Sequence, residues 1–246
     1  VAAPAGVRTA AERVAVVDRE FSRESADWRT WARALRLHQW IKNVLVFLPL
    51  LGSHQILNLG LLPSALLAFV SFGLCASSVY ILNDLMDLES DRSHPRKQLR
   101  PFASGALSPL AGVAASCASL VAAFSLALAV NLEFTAWLAV YWGLTMLYTL
   151  VLKRKVLVDA LALAGLYTLR ILAGGAAVAI DPGFWLLAFS LFIFLSLAFV
   201  KRYSELHAML GEGRQETRGR GYIAQDLPLV EMLGIVSGYA AVLVLA

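Results

Sequence analysis

Cysteine is scarce. Two occur in 246 residues, Cys75 and Cys117, both inside apolar stretches, and nothing about them suggests a disulfide framework or a metal-ligand spacing. The four histidines are scattered, none at zinc-binding spacing, and His38 and His94 read as interfacial packing. Charge is sparse too: 15% of residues are charged against 59% hydrophobic, with a mean hydropathy of +0.69. That balance excludes a soluble globular chain. The net charge of +4 needs no nucleic acid to explain it, because the bases follow membrane topology, and no nucleic-acid partner is expected. Residues 1–33 mix acids and bases around no apolar core, so they are not a signal peptide. They read as a polar lead-in, partly helical, or as the tail of something upstream.

What is present is a series of apolar runs long enough to cross a bilayer. Spans are expected at 41–56 (short, interrupted by Pro49 and Gly52), 61–82, 109–130, 134–152, 156–180, 184–200 and 227–246. The last is still apolar at Ala246, so the chain is expected to be the front part of a longer one. Bases test the layout independently of hydropathy. Arg92, Arg96, Lys97 and Arg100, then Lys153, Arg154 and Lys155, then Lys201, Arg202, Arg214, Arg218 and Arg220 follow the even-numbered spans. The loops after the odd-numbered spans hold no base. With the lead-in and Lys42, every Lys and Arg except Arg170 falls on one side, which the positive-inside rule makes cytoplasmic. The expectation is an all-α polytopic bundle in the inner (plasma) membrane, with a lead-in at 1–34 and a transmembrane domain at 35–246. Gly and Ala abound in the third and fifth spans, which favours close helix packing.

Asn83-Asp84-Leu85-Met86-Asp87-Leu88-Glu89-Ser90-Asp91 follows about twenty mostly apolar residues. On a continuing helix, Asp84, Asp87 and Asp91 share a face. Two carboxylates about 6 Å apart repel by about 3 kcal/mol at an effective dielectric near 20. Such a trio suits a divalent cation, magnesium in particular, which takes a few carboxylates plus substrate phosphates. The plainer alternative is a solvated helix end with a salt-bridged acidic face. Arg92, Arg96, Lys97 and Arg100 follow at once and would neutralise a polyanion such as a diphosphate; they also serve as topology determinants.

Other polar residues stand at the same side. Arg36 and Trp40 are either interfacial anchors or site residues, while Lys42 and Asn43 enter an apolar run where an anion would be welcome. Tyr148 is either a belt aromatic or a hydroxyl aimed into a site. Asp159 and Arg170 stand eleven residues apart on one face of the fifth span, about 16 Å along the axis, too far to pair. An intramembrane arginine therefore points to an internal polar cavity. Lys201, Arg202, Tyr203 and Glu205 close the sixth span, and the loop at 211–221 reads as a mobile lid or a solvated connector.

With these residues in place, the chain resembles the UbiA superfamily of intramembrane prenyltransferases from Leu35 onward. The resemblance implies nine helices around a cavity open to lipid, against seven spans here, and two Asp-rich motifs that hold magnesium and a prenyl diphosphate. The first motif is complete. The second is replaced by Lys201, Arg202, Tyr203 and Glu205, which, with Tyr148 and Lys153, is similar to the decaprenyl-phosphate phosphoribosyltransferase branch. That branch implies transfer of 5-phosphoribose from phosphoribosyl diphosphate (PRPP) to a polyprenyl phosphate. The expected metal ligands are Asn83, Asp84, Asp87 and Asp91. Lys42, Asn43, Arg92 and Lys97 would meet phosphates, and Lys153, Arg170, Lys201 and Arg202 would receive the 5-phosphate or the lipid phosphate. Tyr148 and Glu205 would orient bases or ribose hydroxyls. The partners implied are a polyprenyl lipid and a phosphorylated or diphosphate donor; a homo-oligomer is compatible with the sequence. The alternatives are prenyl transfer from a polyprenyl diphosphate to an aromatic acceptor, and a transporter or non-catalytic membrane subunit.

Overall fold

The structure, a computed structural model, describes residues 27–211 and 221–246, and every regular element in them is helical. Most of the lead-in and the loop residues Arg214, Arg218 and Arg220 lie outside the described residues, as does the lid expected at 211–221 apart from its two ends. In chain order the elements are α1 (Trp28–Ala34), a 3-10 segment (Leu37–Phe47), α2 (Leu48–Gly52), α3 (Leu62–Met86) and α4 (Leu88–Arg92). Then come α5 (Pro109–Val130), α6 (Leu132–Leu150), α7 (Val158–Val178), α8 (Phe184–Gly211) and α9 (Leu227–Leu245).

Among the described residues, five helices are long and apolar enough to cross a membrane, not seven: Leu62–Met86, Pro109–Val130, Val158–Val178, Phe184–Gly211 and Ala224–Leu245. The other two expected spans differ for separate reasons. α6 stands where the fourth was expected, but Glu133 in its first turn, with its Trp, Tyr and Thr residues, lowers its hydropathy. The first is not a membrane-crossing helix at all. Its residues form an 11-residue 3-10 segment and then a 5-residue helix that ends at Gly52. Irregular backbone is tolerated at membrane depth where protein buries it.

Two glycines make room for that segment. A Cβ on Gly73 of α3 would lie 2.5 Å from the Trp40 ring, and one on Gly174 of α7 would lie 2.2 Å from the Val46 carbonyl oxygen. Trp40 then donates from Nε1 to the Ser77 hydroxyl (3.0 Å), which donates to the Leu35 carbonyl (2.6 Å). Trp40 is thus a wedge between helices and not a headgroup anchor. The 3-10 segment sits between α3 and α7, the two spans most buried by the rest of the protein, at 61% and 56%. The outer spans α5, α8 and α9 are only about a fifth buried, leaving apolar surface for lipid.

Local chemistry sets the ends. Ser108 caps α5, accepting from the Ala111 amide, with Pro109 next. Asn131 caps α6 through its Oδ1 and donates from Nδ2 to the Ala176 carbonyl of α7 at 2.8 Å, pinning those helices together. The core beneath is aromatic, with Phe72 against Phe134 and Tyr141.

Candidate functional site

α3 runs past the predicted edge of its span and carries Asn83 and Asp84 inside its last turn. It breaks at Asp87, yet the Asp87 amide still bonds the Asn83 carbonyl and the Asp91 amide the Asp87 carbonyl, so the chain keeps nearly helical register into α4. Asp84 and Asp91 consequently face the same way and are buried, at 3% and 1% exposure. Asp87, at the joint, is exposed and forms no ion pair among the described residues. The expected trio is therefore a buried pair and an outlier, and among the described residues no three acidic, histidine or cysteine side chains converge as a metal-binding group.

Arginines hold the pair together. The Arg100 Nη1 donates to Asp91 at 2.6 Å and to Asp84 at 3.1 Å, and Arg36 donates to Asp84 at 2.5 Å. Lys97 stands 3.9 Å from Asp91 Oδ1, an ion-pair distance without a hydrogen bond, and among the described residues that buried oxygen has no donor. A hard, buried, donor-free carboxylate oxygen beside a second carboxylate fits magnesium. Arg36 adopts a left-handed backbone (φ 51°), and its guanidinium lies over the Tyr80 ring at 4.9 Å. Asn83 reaches back to the buried Thr149 of α6, 3.5 Å away.

Lys42, in the 3-10 segment, is half-buried and donates to Gln39. The positive charges of Arg170, Lys201 and Arg36 act on its ammonium, and a phosphate arriving there would offset that repulsion. Lys153 and Tyr148 are half-buried, and Tyr148 packs against the core; Lys201 and Arg92 are exposed, Arg92 reaching the Ala103 carbonyl.

Two of the expected phosphate-binding arginines already have partners. Arg170 donates to Asn43 Oδ1 (3.0 Å), the Tyr141 hydroxyl (2.9 Å) and the Leu166 carbonyl (2.6 Å), with its guanidinium over the Tyr141 and Tyr167 rings. It joins the 3-10 segment, α6 and α7, and its cost at membrane depth is met inside the bundle. Asn43 is thereby its acceptor. Arg202, 1% exposed, donates to Asp159 and Glu205 at 2.6 Å each, while its buried Nη2 has no partner among the described residues. Tyr222 donates to Asp159 and accepts from the Leu157 amide; burial first, and then the Asp159 hydrogen bond, push its phenol up, so it stays a donor. Just before it, a Cβ on Gly221 would lie 2.4 Å from the Arg154 carbonyl oxygen.

Sequence reasoning leaves Arg36 and Arg100 undecided between site and topology, and misses Thr149, Tyr141 and Tyr222. Only the first two carry a signal, as bases flanking the acids; Thr149 and Tyr141 look like ordinary span residues and Tyr222 like a loop residue.

Comparison with known proteins adds three findings. The model of the UbiA prenyltransferase family matches residues 44–211. The chain is 40% identical over 218 residues to the nodulation protein NoeC of Azorhizobium caulinodans, covering 88% of this chain and 70% of that protein. It is 36% identical over 183 residues to the decaprenyl-phosphate phosphoribosyltransferase of Mycobacterium tuberculosis, covering 71% and 59% respectively. The chain spans as little as 42% of the length of another curated relative it matches. Among solved structures, a UbiA homolog from Archaeoglobus fulgidus bound to GPP and Mg2+ superposes with a TM-score of 0.69 at 16% identity, over 87% of this chain and 76% of that one.

Proposed function

The chain belongs to the UbiA prenyltransferase family, and on that premise we propose that this integral membrane transferase moves 5-phosphoribose from PRPP to a polyprenyl phosphate, with magnesium as cofactor. The observation that carries this reading is the balance of charge at the inner mouth. One buried acid pair with a donor-free oxygen among the described residues is ringed by Arg36, Lys97 and Arg100, and the charge of Lys42 acts on Arg36 beside them. Within α8, just past the expected edge of its span, where a second acid cluster would serve a prenyl diphosphate, stand exposed Lys201 and the paired Arg202. A donor bearing both a diphosphate and a 5-phosphate, meeting a lipid phosphate, asks for few acids and many bases.

Bound magnesium would neutralise diphosphate charge and tie it to the acids. Asp84 and Asp91 hold that end of the donor, with Asp87 closing from the joint and Asn83 fixed by Thr149. Lys97 and Arg92 neutralise outer phosphate oxygens. Lys42, Lys153 and Lys201 receive the 5-phosphate or the lipid phosphate, with Tyr148 orienting beside them. Arg170 and Arg202, already bonded, hold Asn43 and Glu205 in position. The lipid phosphate oxygen bonds the anomeric carbon as the diphosphate leaves with the electron pair, so the protein positions groups and balances charge, and no side-chain nucleophile is needed. The mouth is assigned to the cytoplasmic face of the inner membrane by its bases.

The test is transfer from labelled PRPP or labelled polyprenyl diphosphate by purified protein in detergent. Magnesium-dependent product is expected from PRPP, and none from the Asp87→Ala variant. Product from the prenyl donor alone would replace this reading with prenyl transfer to an aromatic acceptor, and product from neither would favour a non-catalytic membrane subunit.

A further inference from the structure

The acid pair is balanced before any metal arrives: Asp84 and Asp91 face the guanidiniums of Arg36 and Arg100. A divalent cation entering alone would add two positive charges beside Lys97, Arg36 and Arg100, at a Coulombic cost that burial magnifies. Entry is favourable only if a guanidinium leaves or an anion comes too. The two arginines are not equally free to move. Arg36 is 20% exposed, lies over Tyr80, and stands on a left-handed backbone that persists only where its surroundings over-determine it. Arg100 is 30% exposed, and among the described residues its side chain bonds Asp84 and Asp91 alone. Its backbone is held by a 3-10 turn (Lys97–Leu99) and by Pro101, so only the side chain need swing. The donor-free Oδ1 of Asp91 lies on the carboxylate whose other oxygen Arg100 holds.

We infer that Arg100 is an exchangeable plug of the metal seat: it occupies the acid pair until a metal–diphosphate enters as one unit, then passes from the carboxylates to the diphosphate. This rests on the reading of Asp84 and Asp91 as the metal seat. It makes metal binding and diphosphate binding mutually dependent, each supplying the charge the other lacks. Arg36 stays in place and keeps Asp84 aimed at the seat.

The test is Mn2+ retention by the full chain in detergent, measured by equilibrium dialysis with and without inorganic pyrophosphate. Wild-type protein is expected to hold Mn2+ at least about tenfold more tightly with pyrophosphate, a difference of about 1.4 kcal/mol. Arg100→Met, which keeps the apolar stem and removes the charge, is expected to hold Mn2+ alone about tenfold more tightly than wild type. It should also lose most of the pyrophosphate enhancement. Arg100→Gln serves the same purpose if the Met variant does not fold. Equal retention of Mn2+ alone by wild type and either variant, with Asp91→Asn abolishing it, would overturn the plug and leave the seat standing. No retention by wild type even with pyrophosphate, or retention unchanged in Asp91→Asn, would overturn the seat and the plug with it.

Discussion

Three acids are buried among the described residues, Asp84, Asp91 and Asp159, and the surroundings of the last two differ. Asp159 is fully buried and bonded by Arg202 on one oxygen and Tyr222 on the other. Asp91 is just as buried, but its cation is part-exposed Arg100 and one oxygen accepts nothing. Sealed charge pairs hold helices in register, whereas a pair with a mobile cation and an open oxygen is built for exchange. Burial alone does not separate the two roles; the mobility of the counter-ion does.

The sharpest way to break this contrast is to remove each acid in turn. Asp159→Ala leaves the buried Arg202 guanidinium with Glu205 alone and is expected to cost about 3 kcal/mol of stability, read as a lowered thermal midpoint in detergent. Asp159→Asn with Arg202→Met should recover much of that loss, because a neutral pair leaves no orphaned charge. A midpoint unchanged in Asp159→Ala would mean that the network is not structural. Asp91→Asn should do the opposite, with transfer falling about 100-fold or more (about 2.7 kcal/mol). Its thermal midpoint should move little, since Arg100 can return to water. A collapse of stability in Asp91→Asn would erase the distinction. The smallest effect sharpens the sealed end. Tyr222→Phe removes one hydrogen bond to Asp159 and is expected to cost about 1 kcal/mol. Greater solvent exchange at the Leu157 amide should accompany it, because the phenol oxygen is that amide's acceptor.

Much of the fold is legible in the residues. Long apolar runs broken by bases yield α3, α5, α7 and α9 within a few residues, because hydropathy is a local property summed over a window, whereas α8 continues to Gly211, well past the apolar edge expected at 200. The 3-10 segment is not legible. Its departure from an α-helical span depends on Gly73 and Gly174, far away in sequence, which admit Trp40 and the Val46 carbonyl. The site divides similarly. Spacing alone brings Asp84 and Asp91 together, since helical register is local. That Asp87 turns outward depends on a break of one residue, which hydrophobic period does not report. Arg170 and Arg202 look like free cations in sequence because their partners Asn43, Tyr141 and Asp159 lie between 29 and 127 residues away.

The sequence by itself determined that this chain enters a membrane, which end of the bundle collects its bases, and where the acids gather. Each follows from the type and order of neighbouring residues. Only the tertiary structure decided which charges are spent on holding helices together and which remain available to a ligand. A charge becomes structural when a distant side chain meets it in a space too dry for either to leave, and nothing local in the chain records that encounter.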